Sequence, residues 1–105
     1  MEKFENKKYK MLMDEANTIQ WKGHTLHRIK ALKDFYCIQK GDLGGYVEKE
    51  ANLFQEDGDC WAYNNARVYG NAHVSGNAVI KDNAEIYGYA KIYGHAYALR
   101  KCKNI

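Results

Sequence analysis

The stretch ARVYGNAHVSGNAVIKDNAEIYGYAKIYGHA, residues 66–96, states one six-residue pattern five times. Alanine recurs at every sixth position from Ala66 to Ala96, and valine or isoleucine follows each of the first five alanines two residues later. A helix turns every 3.6 residues and would scatter this pattern around its surface, whereas alternate residues of a strand share one face. The pattern therefore predicts very short strands, each with an inward alanine and an inward aliphatic residue.

Turn-forming residues separate these strands. Two residues after each aliphatic residue comes a glycine or an aspartate, as at Gly70, Gly76, Asp82 and Gly88. The next residue is usually asparagine. Both glycine and asparagine tolerate a positive φ. We therefore expect each six-residue unit to be a strand followed by a corner, and successive strands to stack about 4.8 Å apart.

Residues 45–105 resemble the hexapeptide-repeat proteins, which form a left-handed parallel β-helix. The resemblance implies three six-residue units per coil, so that residues eighteen apart lie above one another, and about three coils in this chain. The chain departs from the common pattern of that family in placing tyrosine after the aliphatic position and in having no proline. The expected fold is an all-β, single-domain left-handed parallel β-helix over residues 45–105, preceded by a separate cap in residues 1–44.

The cap is predicted to be a β-hairpin. Residues 18–21 and 24–29 have the composition of strands and flank the turn former Lys22-Gly23. KYKMLM, residues 8–13, predicts a further strand. A solenoid needs its open end covered to prevent edge-to-edge growth, so we expect the hairpin to provide that cover.

The repeat can be followed back to Gly45 with one slip of phase. GYVEKE from Gly45 and ANLFQE from Ala51 obey the six-residue rule, but three extra residues precede Cys60. We interpret Asp57, Gly58 and Asp59 as these extra residues, forming a bulge at a corner.

Composition and charge narrow the function. The chain has 105 residues and a formal net charge of +3, which is too small to predict a nucleic-acid or membrane partner. No segment approaches the roughly 18 apolar residues of a membrane span, and the charged start lacks the apolar stretch of a signal peptide, so cytoplasm is the expected compartment. Cys37, Cys60 and Cys102 form no CxxC pair, and we expect reduced thiols.

Stacking at eighteen residues assigns the outward side chains to three faces. The first face is mostly apolar or aromatic, a composition typical of an interface. Two alternatives remain open: the amino-terminal hairpin covers this face, or the face binds a partner or a second copy, giving a homo-oligomer. The partner-binding residues predicted on this face are Trp61, Tyr63, Val79, Lys81, Tyr97 and Leu99.

A secondary surface is predicted at Arg67, Tyr69 and Tyr87 on the second face and at Tyr93 on the third. On the second face the charges of Arg67, Glu85 and Lys103 alternate, and Tyr69 lies beneath Tyr87. Cross-strand pairs of this kind contribute roughly 0.2–1 kcal/mol each, so a structural ladder is favoured over a recognition surface.

The sequence predicts no catalytic residue, metal site or cofactor. Many hexapeptide-repeat proteins are acyltransferases, and the resemblance implies His73 or His95 as the general base of such an enzyme, with acetyl-CoA as its substrate. The extended loop that usually shapes those sites is missing here. A zinc site like that of the carbonic anhydrase of this fold needs three histidines, and only two lie in the repeats.

The leading hypothesis is therefore a non-enzymatic β-solenoid that binds a macromolecule, in the first place a protein. KALKDF, GDLGGY and the NARVYGNA-type repeats resemble small phage and prophage proteins. That resemblance implies an inhibitor of a host defence enzyme, such as a CRISPR effector complex. Nucleic-acid binding through stacked tyrosines is a weaker alternative, and the acyltransferase-like enzyme is the runner-up among enzymes.

Overall fold

The computed structural model describes residues 7–35, 38–55 and 58–93. Within them the regular elements are strands, apart from two short 3-10 helices at Glu15–Asn17 and Glu50–Asn52. The radius of gyration, 12.8 Å, is that of a compact domain of about 100 residues. The prediction of an all-β single domain is confirmed. The strands are β1 (Tyr9–Met11), β2 (Thr18–Trp21), β3 (His24–Ala31), β4 (Leu43–Val47), β5 (Trp61–Ala62), β6 (Arg67–Val68), β7 (His73–Val74), β8 (Val79–Ile80), β9 (Glu85–Ile86) and β10 (Lys91–Ile92).

The predicted hairpin is formed by β2 and β3. The strands pair antiparallel with Trp21 opposite His24, so Lys22 and Gly23 make a two-residue turn. Both turn residues have positive φ, 50° and 86°, as a type I′ turn requires. The predicted third strand is also present, since β1 pairs antiparallel with the second half of β3.

The hairpin is joined to the repeats through a continuous sheet with the strand order β1-β3-β4-β6-β9. β3 pairs antiparallel with β4, the first strand of the repeats, and β4 pairs parallel with β6 on its other side. β3 therefore covers the edge that β4 would otherwise leave open. β4 itself spans the expected boundary between residues 44 and 45.

Three ladders of parallel strands pair residues eighteen apart. Arg67 in β6 lies beside Glu85 in β9, eighteen residues on. β5 pairs in the same way with β8, and β7 with β10. Backbone hydrogen bonds continue through the corners, as where the Asn71 N–H donates to the Gly88 carbonyl at 2.9 Å. The strands are short and the sheets mixed, but the vertical register expected from the resemblance is confirmed for these ladders.

After the slip of phase, each described corner has one residue in the left-handed region, whereas the earlier corner that follows β4 has a 3-10 helix at Glu50–Asn52 instead. The residues with positive φ occur every six positions, at Asn64, Gly70, Gly76, Asp82 and Gly88. Where this residue is not glycine, it is asparagine or aspartate, which of the other residue types adopt this conformation most readily. The corner prediction is therefore confirmed for the five corners from Asn64 to Gly88, with one left-handed residue in each.

The interior is built from the residues that the repeat predicts. The aliphatic residues Val47, Val68 and Val74 are completely buried, and so is the first alanine of the stretch, Ala66. Ala84, in contrast, is exposed. The expectation that every alanine in this phase points into the core is therefore wrong at Ala84, and the residue eighteen positions later, Cys102, lies outside the described residues.

The register changes between Phe54 and Gly58. Leu53 lies beside Val74, which is twenty-one residues on. The regular offset of eighteen has returned by Asp59, whose N–H donates to the Asn77 side chain at 2.9 Å. The chain from Leu53 to Asp59 is therefore three residues longer than the chain from Val74 to Asn77 that stacks on it.

This corrects the predicted bulge at Asp57, Gly58 and Asp59, because the last two of these residues already follow the regular register. Gly58 has φ 83° and stacks on Gly76, the corner residue eighteen positions later with φ 67°. A Cβ on Gly58 would lie 2.2 Å from the Gly76 carbonyl oxygen, so Gly58 is a corner of the repeat and not part of the insertion.

The inserted Gln55 fastens β1 to the repeats. Its side-chain oxygen accepts hydrogen bonds from the N–H groups of Lys8 and Tyr9, at 2.9 and 3.1 Å, and its side-chain nitrogen donates to the Tyr9 carbonyl at 3.1 Å. The side-chain amide thus takes the place of a neighbouring strand. The irregularity in the repeat is the point at which the amino-terminal segment docks.

Candidate binding surface

The first face is covered by the amino-terminal segment. Trp61 is completely buried, and its ring meets the rings of Tyr9 and Phe35 edge-on, with centroids 6.1 and 5.3 Å away. Tyr63 is only 7% exposed. The prediction that Trp61 and Tyr63 are exposed for a partner is therefore wrong, because residues from outside the repeat pack against this face. The alternative in which the amino-terminal hairpin covers this face is only partly right, because the covering rings come from Tyr9 in β1 and from Phe35 after β3, whereas the hairpin tip at Trp21 contacts Glu85 on the second face.

Close backbone approach makes this cover tight. Gly44 of β4 lies so near Trp61 that a Cβ would come within 2.7 Å of the indole ring, of the Ala62 carbonyl oxygen and of the Ile29 side chain. The Tyr9 hydroxyl donates to the Leu53 carbonyl at 2.6 Å. Burial raises the pKa of this phenol far above its ordinary value, so it stays a hydrogen-bond donor.

The other residues predicted on the first face are either half-buried or outside the described residues. Val79 lies beside Trp61 in the β5–β8 ladder and is partly buried against the core. Lys81 is half-buried and engaged in an interaction within the molecule. Tyr97 and Leu99 lie outside the described residues.

The second face holds the tip of the hairpin. Trp21 lies over the Arg67 guanidinium at 4.1 Å, and its indole N–H donates to the Glu85 carboxylate at 3.1 Å. The Tyr69 hydroxyl donates to the same carboxylate at 2.9 Å. Arg67 and Tyr69, both predicted as part of a secondary surface, are thus used inside the molecule, and Tyr69 is only 4% exposed.

The carboxylates of Glu85 and Glu48 hold the hairpin against the repeats, because they accept hydrogen bonds from Trp21 and His24. The hydrogen bonds from Trp21 and Tyr69 hold the pKa of Glu85 below its ordinary value. Partial burial would raise the pKa of Glu48, but the hydrogen bonds from His24 at 3.0 Å and from the Gly70 N–H at 2.8 Å outweigh it and lower that pKa. Both groups are therefore charged acceptors at neutral pH.

Beyond this cluster the second face becomes exposed. Tyr87 stacks on Tyr69 with ring centroids 5.5 Å apart and planes at 13°, and its outer side is open, with 58% of the residue exposed. Tyr93 on the third face is 71% exposed. These two members of the predicted secondary surface are accessible.

The most exposed aromatic residue in the described part of the chain was not predicted. Tyr89, which is 83% exposed, follows the left-handed Gly88 at the corner between β9 and β10. The sequence holds a signal for it, because the four corners before it carry asparagine at the equivalent position, whereas this corner has a large aromatic residue before its alanine. We call Tyr87, Tyr89 and Tyr93 the tyrosine segment.

The backbone under the tyrosine segment is held by the coil below it. The Tyr69 N–H donates to the Ile86 carbonyl at 3.0 Å, and the Ser75 N–H donates to the Ile92 carbonyl at 2.9 Å. Ile86 and Ile92 also pack against the core. The three phenol rings are therefore presented from a fixed scaffold.

The histidines of the described residues are held apart by separate partners. His24 contacts Glu48, and His27 contacts the Thr18 hydroxyl at 3.0 Å. His73 Nδ1 lies 2.8 Å from the Ala51 carbonyl oxygen. Within residues 7–35, 38–55 and 58–93, no three histidine, cysteine or acidic side chains converge to hold a metal ion. His95 lies outside the described residues.

Comparison with known proteins gives no family assignment. No protein-family model matches the chain, and no curated protein is significantly similar to it. Among the residues that the structure describes, none of the helices has the length and apolarity needed to cross a membrane.

Proposed function

We propose that this chain is a non-enzymatic protein-binding module, a left-handed parallel β-helix that docks onto a protein partner through its tyrosine segment. The observation that carries the proposal is the exposure of Tyr87, Tyr89 and Tyr93 within seven consecutive residues of a hydrogen-bonded scaffold. The other large aromatic residues that the structure describes are buried or half-buried.

Tyrosine on a fixed backbone suits binding for two reasons. Its ring contributes a large contact area with few rotatable bonds, and its hydroxyl tolerates water when no partner is present. A scaffold that is already ordered loses little additional entropy on association. Tyrosine is accordingly among the residue types that dominate interface energies.

Three features support the left-handed β-helix. They are the parallel ladders at an offset of eighteen residues, the positive φ of one residue in each corner from Asn64 to Gly88, and the resemblance to hexapeptide-repeat proteins. The narrower hypothesis, that the partner is a host defence enzyme blocked by a phage protein in the host cytoplasm, rests on the resemblance to phage and prophage proteins. A homo-oligomer that uses the first face loses its basis, because Trp61 is buried within one chain.

The proposal is tested by capture from a lysate of the native host with three proteins: the wild type, a variant with Tyr87, Tyr89 and Tyr93 all changed to Ser, and Leu43→Ser as a control. Leu43 is a comparably exposed apolar residue on the cap, at 54%. A protein captured by the wild type and by Leu43→Ser, but not by the triple variant, supports the proposal. Capture that survives the triple variant contradicts it.

Binding to the captured protein, once purified, is then measured by calorimetry at several salt concentrations. Loss of a central tyrosine is expected to weaken binding by more than about 1 kcal/mol, roughly fivefold or more. If no protein is captured and the chain instead binds nucleic acid with an affinity that falls steeply with salt, the alternative of a nucleic-acid-binding surface is supported.

One observation favours acyl transfer as a second candidate. A carbonyl oxygen only accepts hydrogen bonds, so the contact with Ala51 places the proton of His73 on Nδ1 and leaves Nε2 as the basic nitrogen. A general base needs an unprotonated ring nitrogen, which this tautomer provides at Nε2. Saturable binding of acetyl-CoA in calorimetry, lost in His73→Asn, would favour this candidate. If the wild type gives no heat of binding with acetyl-CoA, this candidate is excluded.

A further inference from the structure

Lys8 is a buried lysine in contact with a cysteine. Only 1% of the residue is exposed, and its Nζ lies 3.2 Å from the Sγ of Cys60 and 2.9 Å from the Cys60 carbonyl oxygen. The carbonyl of Gly58 is 3.5 Å away, and the Phe35 ring lies beneath the amine at 5.2 Å. Lysine is rarely buried to this extent.

Packing alone does not require the sulfur atom. Cys60 occupies the position of the repeat that Ala66, Ala72 and Ala78 fill in the following units, where a methyl group suffices. Cys60 is therefore the one described member of this phase that adds a reactive group. That group contacts the buried amine of Lys8, the residue that directly precedes β1.

We propose that Lys8 and Cys60 form an oxidation-dependent latch, in which a hydroperoxide drives formation of a covalent bond between Sγ and Nζ. The bond ties the amino-terminal segment to the repeats over the buried Trp61. The inference is independent of the tyrosine segment.

The reaction proceeds in two steps. In the first, the Cys60 thiolate attacks one oxygen of hydrogen peroxide, the O–O bond breaks, and the leaving hydroxide takes a proton from the Lys8 ammonium. The products are a sulfenic acid, a neutral amine and water. Sulfur is oxidised and the peroxide is reduced.

In the second step the Nζ lone pair attacks Sγ. An S–N bond forms, the S–O bond breaks, and the hydroxide leaves with a proton of the amine as a second water. Sulfenic acids condense with nearby nitrogen atoms in this way to give sulfenamides. Nζ is already within contact distance of Sγ, so the second step requires little movement.

Burial and charge control the rate of the first step. Burial raises the pKa of the Cys60 thiol, while the Lys8 ammonium and its hydrogen bond act in the opposite direction. β1 has only three residues, pairs with β3 on one side and is held on the other by the Gln55 side chain, so infrequent local opening of this strand is the expected route by which a small neutral peroxide reaches the sulfur. We therefore expect a slow reaction that accelerates with pH.

The latch would act mainly on the unfolded chain. Its two ends are 52 residues apart in sequence, and a cross-link that closes a long loop restricts the unfolded state. The melting temperature of the oxidised protein should therefore rise by roughly 10 °C, and a dithiol reductant should reverse the rise.

The test treats the full chain with hydrogen peroxide, digests it without reductant and maps the peptides by mass spectrometry. The expected product is a linked pair of peptides containing Lys8 and Cys60 that has lost two hydrogens relative to the separate peptides. A disulfide from Cys60 to Cys37 or Cys102, or an oxidised Cys60 with no link to Lys8, would overturn the proposal.

Cys60→Ala is the matched control, because alanine is the residue that the other repeats use at this position. The variant should fold, and peroxide should not raise its melting temperature. An equal rise in Cys60→Ala would also overturn the proposal, since the stabilisation would then come from oxidation elsewhere.

Discussion

Two aromatic regions of this molecule have similar composition and opposite environments. Around Trp61, the rings of Tyr9 and Phe35 close over the indole and leave it with no exposed surface. The tyrosine segment, which follows β9 and begins 26 residues after Trp61, leaves more than half of each residue in contact with solvent. The repeat pattern alone does not distinguish the two regions. The residues outside the repeat decide which aromatic face is core and which is surface.

The largest expected effect concerns the covered region. Trp61→Ala removes a fully buried side chain on which two other rings pack, and should lower the free energy of unfolding by about 3–5 kcal/mol. Tyr89→Ala should change it by less than about 0.5 kcal/mol, because the side chain is exposed. Urea unfolding followed by circular dichroism measures both. Similar losses for the two variants would remove the distinction between the regions.

The next effect probes the backbone beneath Trp61. Gly44→Ala places a methyl group 2.7 Å from the indole, from the Ala62 carbonyl and from Ile29, and overpacking of this kind costs about 1–3 kcal/mol or more. In Gly88→Ala the new methyl meets open space, and only the positive φ of 69° opposes it, at about 1–2 kcal/mol. Thermal melts should therefore rank Gly44→Ala below Gly88→Ala. The reverse order would mean that the contact with Trp61 is looser than described.

A smaller effect is expected from pH at the hairpin tip, between the two regions. The pKa values of Glu48 and Glu85 are lower in the folded chain than in the unfolded one. Their contribution is therefore complete above the unfolded value, near pH 4.5, and is lost as the pH falls through the folded values. For Glu48 we expect less than about 1 kcal/mol.

The melting temperature should accordingly be level from about pH 7 to 5 and fall below about pH 4. Glu48→Gln should fall less steeply over the acid range than the wild type. Parallel curves for the two proteins would show that Glu48 does not fasten the hairpin.

The smallest effect on stability belongs to the tyrosine segment. Changing Tyr93 to Ser should leave the melting temperature within about 2 °C of the wild type, because 71% of the residue is already exposed. Tyr87→Ser should be slightly more destabilising, since Tyr87 stacks on Tyr69. Differential scanning calorimetry resolves this difference, and a large loss at Tyr93 would show that its ring packs on the molecule.

The repeat made much of the fold predictable. Alanine, aliphatic and corner residues recur with a fixed period, so the register that places Arg67 beside Glu85 follows from counting once three units per coil are assumed. The Lys22-Gly23 turn is similarly local, since Gly23 takes a positive φ that glycine adopts without steric cost. Such features depend on short-range geometry, which sequence patterns express well.

The covered face was not predictable in the same way. The contacts of Trp61 with Tyr9 and Phe35 join positions far apart in sequence, and no period relates them. The docking role of Gln55 depends on a side-chain amide replacing a strand, which composition does not reveal. Tyr89 did carry a signal, as the one described corner after the insertion that replaces asparagine with an aromatic residue.

The most direct measurement is the fluorescence of Trp61 in a Trp21→Phe variant, where it is the only tryptophan. Because the amino-terminal segment covers the first face, the emission of Trp61 should lie at short wavelength, and iodide should not quench it until the chain unfolds. Emission at long wavelength that iodide quenches in the folded protein would contradict it, and would return the partner-binding surface to that face.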